Sequence, residues 1–565
     1  MSGPVKVDVL VVGSGAAGLS AAVTAAMHGA SVMVAEKASV LGGTSAWSGG
    51  WLWIPRNPLA RAEGIDEAAD APLTYLQHEM GGEAADIRLQ TFLRYGPEMV
   101  EFFHQRTAVQ FLSGSAMPDF HPSPGAANGG RSVTAHPYDG RLLGDWLHRL
   151  RPPLETISLG GMGIAGGADM AHFFNATRSP RSALYAARRL LRHGWQRLRA
   201  GRGQHLVNGN ALVARLLRSA LDAGVRFQLN APVVRLLQGP RGVSGAVLRS
   251  DGGEIHVEAG AVVLACGGFP HDRQRLAQVV PHAAEGYGHF SAAPSDNQGE
   301  GIRLGESVGG QFDTSLRHPL AWAPVSRVTL ASGQQLMFPH LVERAKPGVI
   351  AVLPNGKRFV NEADSYHDFI AALLAATPAG DTPQAWLLAD RRTLRRYGLG
   401  HARPFPFTPT AWLRTGYLQR GNTLAELAKQ CAIDANALAE TVERFNHFAS
   451  TGEDVDFHRG ASAYNRAQGD HQVTLGPLRE GPFYAVRILP GSLGTFSGLQ
   501  TDEHARVLDE QQQPIPGLYA IGNDMSSVMR GYYPSGGITL GPAMTFGYLV
   551  GKNLAKKTNI NNNIT

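Results

Sequence analysis

The chain has 565 residues, of which 43% are hydrophobic and 17% are charged, and its formal net charge is +6. This length exceeds one small core, so we expect two large domains in an ordinary globular protein. The mild positive charge gives no reason to expect a nucleic-acid partner. Two cysteines, without a metal-ligand spacing, exclude a disulfide scaffold and predict no metal site.

Targeting signals are missing from the sequence pattern. No run of about 18 apolar residues is present, which excludes a membrane-spanning helix. The first apolar run begins near Lys6 without a charged segment and cleavage site before it, so we expect no secretory signal peptide. We therefore expect a cytoplasmic protein.

The first patterned stretch, residues 9–37, reads VLVVGSGAAGLSAAVTAAMHGASVMVAEK. An apolar run ends in a glycine-rich turn, a helical segment follows, and a second apolar run stops at Glu36. Gly13 permits the tight turn, Gly15 lets a pyrophosphate approach the backbone, and Gly18 lets the helix pack close to the sheet. The helix N-terminus binds phosphate, and Glu36 lies where a carboxylate accepts hydrogen bonds from a ribose diol. The stretch predicts a Rossmann-like dinucleotide-binding unit.

A second loop rich in glycine and hydroxyl groups, LGGTSAWSGG, follows at residues 41–50. Its closeness to the ribose-binding acid suits a ligand that stays bound along its whole length. Here the chain resembles flavoproteins of the fumarate reductase and 3-ketosteroid dehydrogenase superfamily, in which this loop wraps FAD. Relatives with covalent flavin have a histidine in the loop. Residues 36–50 contain none, so we expect non-covalently bound FAD.

The last glycine-rich block, residues 532–547, reads YYPSGGITLGPAMTFG. A glycine-rich turn into a helix aims N–H groups at the flavin and stabilises negative charge on the reduced ring. The block resembles the C-terminal motif of 3-ketosteroid dehydrogenases. The resemblance implies that the Tyr533 hydroxyl and the Gly537 N–H bind a ketone oxygen. It also implies that a base removes the α-proton and that flavin N5 takes hydride from the β-carbon.

The same resemblance implies an α/β fold, with a Rossmann-like FAD-binding domain of the glutathione reductase type and an inserted α+β domain that caps the substrate. We expect the FAD-binding domain in residues 1–283 and 484–556, the capping domain in residues 284–483, and a disordered tail in residues 557–565. The expected FAD contacts are Gly13, Gly15, Ala16, Ala17, Gly18, Glu36, Lys37, Gly42, Gly43, Thr44, Ser45, Ser48, Gly49, Gly50, Val233, Val234, Ala265, Gly267, Gly268, Gly522, Asn523, Asp524, Gly537, Thr539 and Leu540.

The general base departs from the family pattern. Two further tyrosines of the family fall at or beside Phe120 and Phe338 in our alignment, and phenylalanine has no proton to move. His340 is the nearest titratable neighbour of Phe338, and its imidazole suits base work at neutral pH, so we predict His340 as the base. Further candidates are His121, Tyr366, His367, Tyr532 and Ser535.

The resemblance implies an FAD-dependent dehydrogenase that forms a double bond α,β to the carbonyl of a 3-ketosteroid or similar alicyclic ketone. Residues 533–541 contain no Arg or His, which weighs against a dicarboxylate such as fumarate. Two alternatives stay open, an ene reductase acting on an enone and a flavin-binding protein without turnover. The sequence has no second GxGxxG motif between a strand and a helix that would indicate an NAD(P)H-binding domain. We therefore expect a quinone or other electron acceptor.

Arginines are concentrated between Arg178 and Arg202, where they alternate with apolar residues such as Leu184, Leu191 and Trp195. This pattern is typical of an amphipathic helix. Its apolar stripe either packs on the protein or contacts an anionic membrane surface. We favour packing on the protein and keep peripheral contact with the inner face of the membrane, through residues 178–202, as the alternative.

Overall fold

The computed structural model describes residues 4–330, 332–404 and 407–562, with side chains described as far as Ala555. Its larger sheet has eight strands and a parallel centre, in which the first strand lies between the second strand and a strand from the middle of the chain. In chain order the strands are Val5–Val12, Val32–Ala35, Arg226–Gln228, Val233–Gly239, Gly242–Ser250, Gly253–Leu264, Arg506–Leu508 and Pro514–Ala520. The predicted α/β class is confirmed.

The glycine-rich turn connects strand Val5–Val12 directly to helix Ala16–Met27. Gly13 has a φ of +107°, and a Cβ there would lie 2.2 Å from the Ala265 carbonyl oxygen. A Cβ at Gly18 would lie 2.1 Å from the Gly13 carbonyl oxygen. Only glycine fits both positions, because any side chain would push the helix away from the carboxyl ends of the parallel strands.

The second sheet has seven strands and belongs to the predicted capping domain. In chain order they are Phe290–Ser291, Leu320–Thr329, Gln335–Pro339, Val349–Val352, Ala385–Asp390, Leu418–Gly421 and Phe483–Thr495. The last strand is the central one, since it pairs with four others. The boundary predicted at residue 483 falls at the start of this strand, so the second sheet extends to Thr495.

Short sheets and helices complete the two domains. A three-stranded sheet contains Trp51–Trp53, Phe111–Ser113 and Ser132–Ala135, and Tyr138–Asp139 pairs with His205–Leu206. The α-helices are Ala16–Met27, Pro58–Ala62, Ala71–Met80, Ile87–Arg106, Ala168–Phe174, Pro180–Ala200, Asn208–Asp222, Arg273–Val279, Pro281–Ala284, Glu300–Glu306, Tyr366–Ala376, Arg391–Tyr397, Pro409–Arg414, Leu424–Cys431, Ala435–Thr451, Ala463–Gln468 and Leu540–Asn562. The 3₁₀ helices are Gly43–Trp47, Gly81–Ala85, Gly140–Arg149, Glu343–Ala345 and Gly522–Asp524.

The two ends of the chain meet at one place in the fold. Helix Leu540–Asn562 packs along helix Ala16–Met27, and a Cβ at Gly547 or Gly551 would lie within 2.7 Å of a backbone oxygen of that first helix. The backbone of the last helix runs into the segment predicted as a disordered tail, of which residues 563–565 lie outside the described residues. The close packing brings the C-terminal glycine-rich block beside the N-terminal turn.

The basic segment forms helix Pro180–Ala200, as its pattern predicts. Its apolar stripe faces outward, because Leu184, Leu191 and Leu198 are 72%, 76% and 85% exposed. The favoured interpretation, in which this stripe packs on the protein, holds for Leu190, which packs against the cluster of Met162, Phe173 and Ala186, and is wrong for these three leucines. Within the described ranges, no helix has both the length and the apolarity that crossing a membrane requires.

Candidate active site

A cavity of about 1420 Å³ extends from the N-terminal glycine-rich turn to strand Gln335–Pro339 of the second sheet. One part is lined by the N-terminal glycine-rich turn and by the loop at residues 43–50. The other part is lined by aromatic side chains, among them Phe120, Tyr366 and Tyr533. The cavity thus joins a region with the features of a nucleotide site to an apolar, hydroxyl-bearing compartment.

The nucleotide region contains the N-terminus of helix Ala16–Met27. Gly15 precedes this helix, and no side chain of its own caps the first turn. Across the cavity wall, Ser45 Oγ accepts a hydrogen bond from the Ala16 N–H at 3.0 Å. The remaining N–H groups and the positive end of the helix dipole suit a pyrophosphate.

Glu36 lies at the end of the second strand and is 9% exposed. Its Oε2 accepts hydrogen bonds from the Ser14 N–H at 3.1 Å and the Ser14 hydroxyl at 2.6 Å, and its Oε1 accepts from the Ala38 N–H at 2.9 Å. These bonds fix the carboxylate and leave lone pairs for a ribose diol. Beside it, Lys37 forms an ion pair with Glu300.

Most residues predicted to contact FAD line this cavity. They are Gly13, Gly15, Ala16, Ala17, Glu36, Lys37, Gly43, Thr44, Ser45, Ser48, Gly49, Gly50, Val233, Ala265, Gly267, Gly522, Asn523, Gly537, Thr539 and Leu540. The helix N-terminus, the oriented acid and the close-packed glycine turns fit the pyrophosphate, ribose and adenosine parts of FAD. We propose that these residues hold it.

Five predicted contacts do not line the cavity: Gly18, Gly42, Val234, Gly268 and Asp524. Val234 is 38% exposed on the outer surface. The buried Asp524 carboxylate accepts hydrogen bonds from the N–H groups of Cys266 and Gly268, at 2.5 and 2.9 Å. Burial raises its pKa to about 6. Asp524 therefore shapes the turn after strand Gly253–Leu264, and its effect on a bound nucleotide is indirect.

Tyr533 lies at the centre of the aromatic region. The Tyr366 hydroxyl donates a hydrogen bond to the Tyr533 hydroxyl at 2.7 Å. The Tyr533 ring stacks on Phe120, with ring centroids 5.7 Å apart, and Tyr464 packs on the other side of this contact, 4.4 Å from Phe120. Burial raises the pKa of Tyr533 to about 12, so its hydroxyl keeps its proton at neutral pH.

Gly537 supplies a second donor to the same cavity. Its φ is +101°, and a Cβ there would lie 2.6 Å from the Trp53 nitrogen. Its carbonyl oxygen accepts a hydrogen bond from the Trp53 N–H at 3.1 Å, whereas no acceptor among the described residues takes up its own N–H. A hydroxyl and a free N–H in one cavity wall form the type of site that stabilises a developing oxyanion.

The structure does not bring the predicted base His340 to Tyr533. His340 is fully buried, its Nδ1 is bonded to Glu343, and its Nε2 is 2.7 Å from the Ser326 hydroxyl. It is not among the described residues that line the cavity. Ser535 is also buried and behind the lining. Both residues neighbour lining residues in the chain, but their side chains are buried behind the cavity surface.

Of the other candidates, His121 is a charged group and His367 a neutral one. Burial opposes the charge of His121, but hydrogen bonds to Asp368 and Glu79 raise its pKa to about 10, so it is an imidazolium at neutral pH. Burial lowers the pKa of His367 to about 3. An imidazolium has no lone pair to accept a proton, and a group with a pKa near 3 is a weak base.

Tyr366 is the candidate that lines the cavity and is hydrogen bonded to Tyr533. Burial raises its pKa well above the usual value, and the Tyr533 hydroxyl adds to this shift. Tyr464 and Arg403, which no sequence pattern indicated, also line the cavity. Neither belongs to a recognisable motif, and only the packing of the capping domain places them there.

Comparisons with known proteins agree with this geometry. A model of the FAD binding domain family matches residues 8–540. The chain is 40% identical to 4-oxocyclohex-2-ene-1-carboxylate 5-dehydrogenase of Sinomonas cyclohexanicum, over 97% of this chain and 94% of that protein. It is 36% identical to 3-oxosteroid 1-dehydrogenase of Mycolicibacterium smegmatis, over 97% of both.

A solved structure of a 3-ketosteroid dehydrogenase is similar to this one over nearly the whole chain. The crystal structure of 3-ketosteroid delta1-dehydrogenase from Sterolibacterium denitrificans, in complex with 1,4-androstadiene-3,17-dione, has a TM-score of 0.88 and 36% sequence identity. The match covers 98% of this chain and 100% of that one. The fold, the FAD cofactor and the resemblance inferred from the sequence are confirmed. The chain belongs to the FAD-dependent 3-ketosteroid dehydrogenase family.

Proposed function

We propose that this protein is an FAD-dependent dehydrogenase that converts the CH–CH pair α,β to the carbonyl of an alicyclic ketone into a C=C bond. The observation that carries the proposal is the pair of donors at Tyr533 and Gly537 in a cavity continuous with the FAD region. A ketone oxygen bound by both donors is held more tightly as it becomes an enolate oxygen. The two donors thereby acidify the α-carbon.

The donor pair is electrically neutral. Tyr533, with a pKa of about 12, keeps its hydroxyl proton, and the hydrogen bond it accepts from Tyr366 strengthens it as a donor. The Gly537 N–H does not titrate. A site of this kind suits a ketone oxygen, whereas the two carboxylates of fumarate call for cationic side chains.

We propose that Tyr366 accepts the α-proton. Its hydroxyl is 2.7 Å from the Tyr533 hydroxyl, which brings it close to the carbon next to a carbonyl that Tyr533 holds. Because burial raises its pKa well above the usual value, the phenolate is scarce at neutral pH and strongly basic once formed. His340, the base predicted from the sequence, is not among the described residues that line the cavity and so has no comparable access to that carbon.

FAD supplies the acceptor for the hydride of the β-carbon, which completes the removal of two hydrogens from the substrate. The protein's own part is to hold the ketone, take the α-proton and exclude water. Phe120, which is 2% exposed and stacked on Tyr533, serves the last purpose together with Tyr464. An apolar wall strengthens the hydrogen bonds to the ketone oxygen, because it lowers the local dielectric constant.

The names of the relatives indicate the size range of the substrate. One is named for a cyclohexenone carboxylate and another for a 3-oxosteroid, and both compounds are alicyclic ketones. The aromatic side chains Phe120, Phe338, Tyr366, Tyr464 and Tyr533 offer apolar surface to such a ring. We therefore propose a 3-ketosteroid or a smaller alicyclic ketone as the substrate.

An ene reductase acting on an enone is the second candidate. The observation in its favour is that Tyr366, kept protonated by its raised pKa, can also donate a proton to an α-carbon. The test is turnover with a panel of saturated ketones and a dye acceptor, with the products identified by mass. Loss of two hydrogens from one ketone supports the dehydrogenase. Turnover only of an enone, with a reduced carrier, would establish the reductase instead.

The electron acceptor that we propose is a quinone, reached at the inner face of a membrane. The support is helix Pro180–Ala200, whose exposed leucines and Trp195 lie among arginines, and whose residues His193 and Arg197 line the same cavity. Flotation with anionic vesicles tests the contact, using Leu191→Glu and a distant exposed control, Val455→Glu. Equal flotation of the wild type and Leu191→Glu would contradict it.

A further inference from the structure

Three arginines in the cavity wall, Arg197, Arg202 and Arg403, have no carboxylate partner among the described residues. The half-buried Arg403 donates from Nη2 to the Thr156 carbonyl oxygen at 2.7 Å, a contact that occupies one of its five N–H groups. Within the described residues, no Asp or Glu pairs with it, and burial lowers its pKa to about 10. A partly desolvated guanidinium without an anion is costly, and a bound anion would offset that cost.

Other cations along the cavity differ from Arg403 in their partners. Ion pairs join Lys37 to Glu300, Arg151 to Asp296, and Arg396 to Asp470. Lys346 and Arg202 each donate to two backbone carbonyl oxygens, and Arg197 is exposed to solvent. Arg403 thus combines partial burial and a place in the lining with a single hydrogen-bond acceptor, where Arg202 has two.

Arg403 belongs to the substrate compartment in the capping domain. The Thr156 carbonyl oxygen that it contacts also accepts from His401 Nδ1 at 2.8 Å, and the His401 ring is 6.1 Å from the ring of Phe338. Phe338 lines the same cavity as Tyr533. Burial and Arg403 lower the pKa of His401 to about 4, so the positive charge at this place is that of Arg403.

We propose that Arg403 binds a carboxylate of the substrate, so that the preferred substrates are alicyclic ketones with an anionic group remote from the carbonyl. The proposal rests on the proposed function. The planar guanidinium matches a carboxylate in shape and forms charge-assisted hydrogen bonds to it. With the ketone at Tyr533 and the carboxylate at Arg403, the ring is held at two points. This determines which α-carbon faces Tyr366.

The experiment compares 4-oxocyclohexanecarboxylate with its neutral carboxamide and with a neutral 3-oxosteroid. Wild type, Arg403→Gln and Arg403→Lys are assayed, with Arg188→Gln, an exposed arginine, as the charge control. We expect kcat/KM for the acid to fall about thirtyfold or more in Arg403→Gln, and the value for the amide to change by less than about threefold. Arg403→Lys keeps the positive charge but loses the planar guanidinium, so we expect its kcat/KM for the acid to lie between those of the wild type and Arg403→Gln.

Binding is measured separately by titrating the oxidised flavoprotein with the unsaturated acid and following the flavin spectrum. We expect the Kd to rise in Arg403→Gln by the same factor as kcat/KM falls. If Arg403→Gln affects acid and amide equally, or neither, the carboxylate proposal is overturned while the dehydrogenase proposal stands. If no ketone of any charge is oxidised by the wild type, both are overturned. A flavin spectrum at full occupancy shows that each variant is folded.

Discussion

Replacing Tyr533 with phenylalanine tests the ketone site with little change in packing. The ring is 5% exposed, stacks on Phe120 at 5.7 Å and lies 5.8 Å from Phe496, and phenylalanine preserves these contacts. The hydroxyl alone is lost. It is the proposed donor to the ketone oxygen and the acceptor of the hydrogen bond from Tyr366.

The magnitude follows from that single donor. Removing one donor from an oxyanion site costs about 2.7–4 kcal/mol, or roughly 100- to 1000-fold in kcat. The Tyr366 hydroxyl loses its acceptor, which costs about 1–3 kcal/mol of folding stability. Because the Gly537 N–H remains, we expect residual turnover about 100-fold or more below the wild type, with FAD still bound.

The assay is dye-linked turnover of the ketone that the wild type oxidises, with the flavin spectrum recorded for each preparation. Tyr532→Phe is the matched control, because Tyr532 adjoins Tyr533 in sequence without lining the cavity. We expect its kcat within about twofold of the wild type, since the half-buried Tyr532 lies outside the cavity lining and phenylalanine preserves its packing. A loss below about threefold in Tyr533→Phe would refute the assignment of the ketone site.

Three further predictions concern the residue that accepts the α-proton and the buried His340. Tyr366→Phe should lower kcat by about 100- to 10,000-fold in the same assay, and a loss below about tenfold would exclude Tyr366 as the base. A base whose pKa is raised ionises only as the pH rises, so log(kcat/KM) should climb with a slope near 1 between about pH 6 and 9. A plateau below about pH 8 would indicate another base. His340→Asn should lower Tm, because it breaks the buried contacts to Glu343 and Ser326, and should change kcat by less than about tenfold. A hundredfold loss of kcat at an unchanged Tm would reinstate His340.

The ends of the chain are predictable because their geometry is local. Gly13 and Gly18 are fixed by contacts within one strand–turn–helix unit, and the spacing of the glycines records those contacts. Gly537 has a positive φ inside a glycine-rich turn, which the residue pattern also indicates. The fold class and the FAD cofactor could therefore be predicted from the sequence, as could the presence of Tyr533 and Gly537 in the cavity lining.

The side chains that surround Tyr533 could not be predicted in the same way. His340 is close to Phe338 in sequence, but hydrogen bonds to Glu343 and Ser326 hold it in the wall. Tyr366 meets Tyr533, 167 positions away, only through the tertiary structure. No local pattern encodes that distance.

The covered face of the basic helix could not be predicted from the sequence either. Arginines and leucines at helical spacing predict helix Pro180–Ala200 correctly. Which face is covered depends on the elements that the helix packs against, and the periodicity is the same for either face. The exposure of Leu184 and Leu191 is therefore a property of the tertiary structure.

The most direct measurement of the central claim is anaerobic reduction of the bound flavin by a saturated alicyclic ketone, with and without deuterium at the α-carbon. We expect one ketone to bleach the flavin, to yield the enone in equal amount, and to react more slowly when α-deuterated, because Tyr366 must take that hydrogen as a proton. A flavin that stays oxidised with every ketone would contradict the account. So would reduction without formation of an enone.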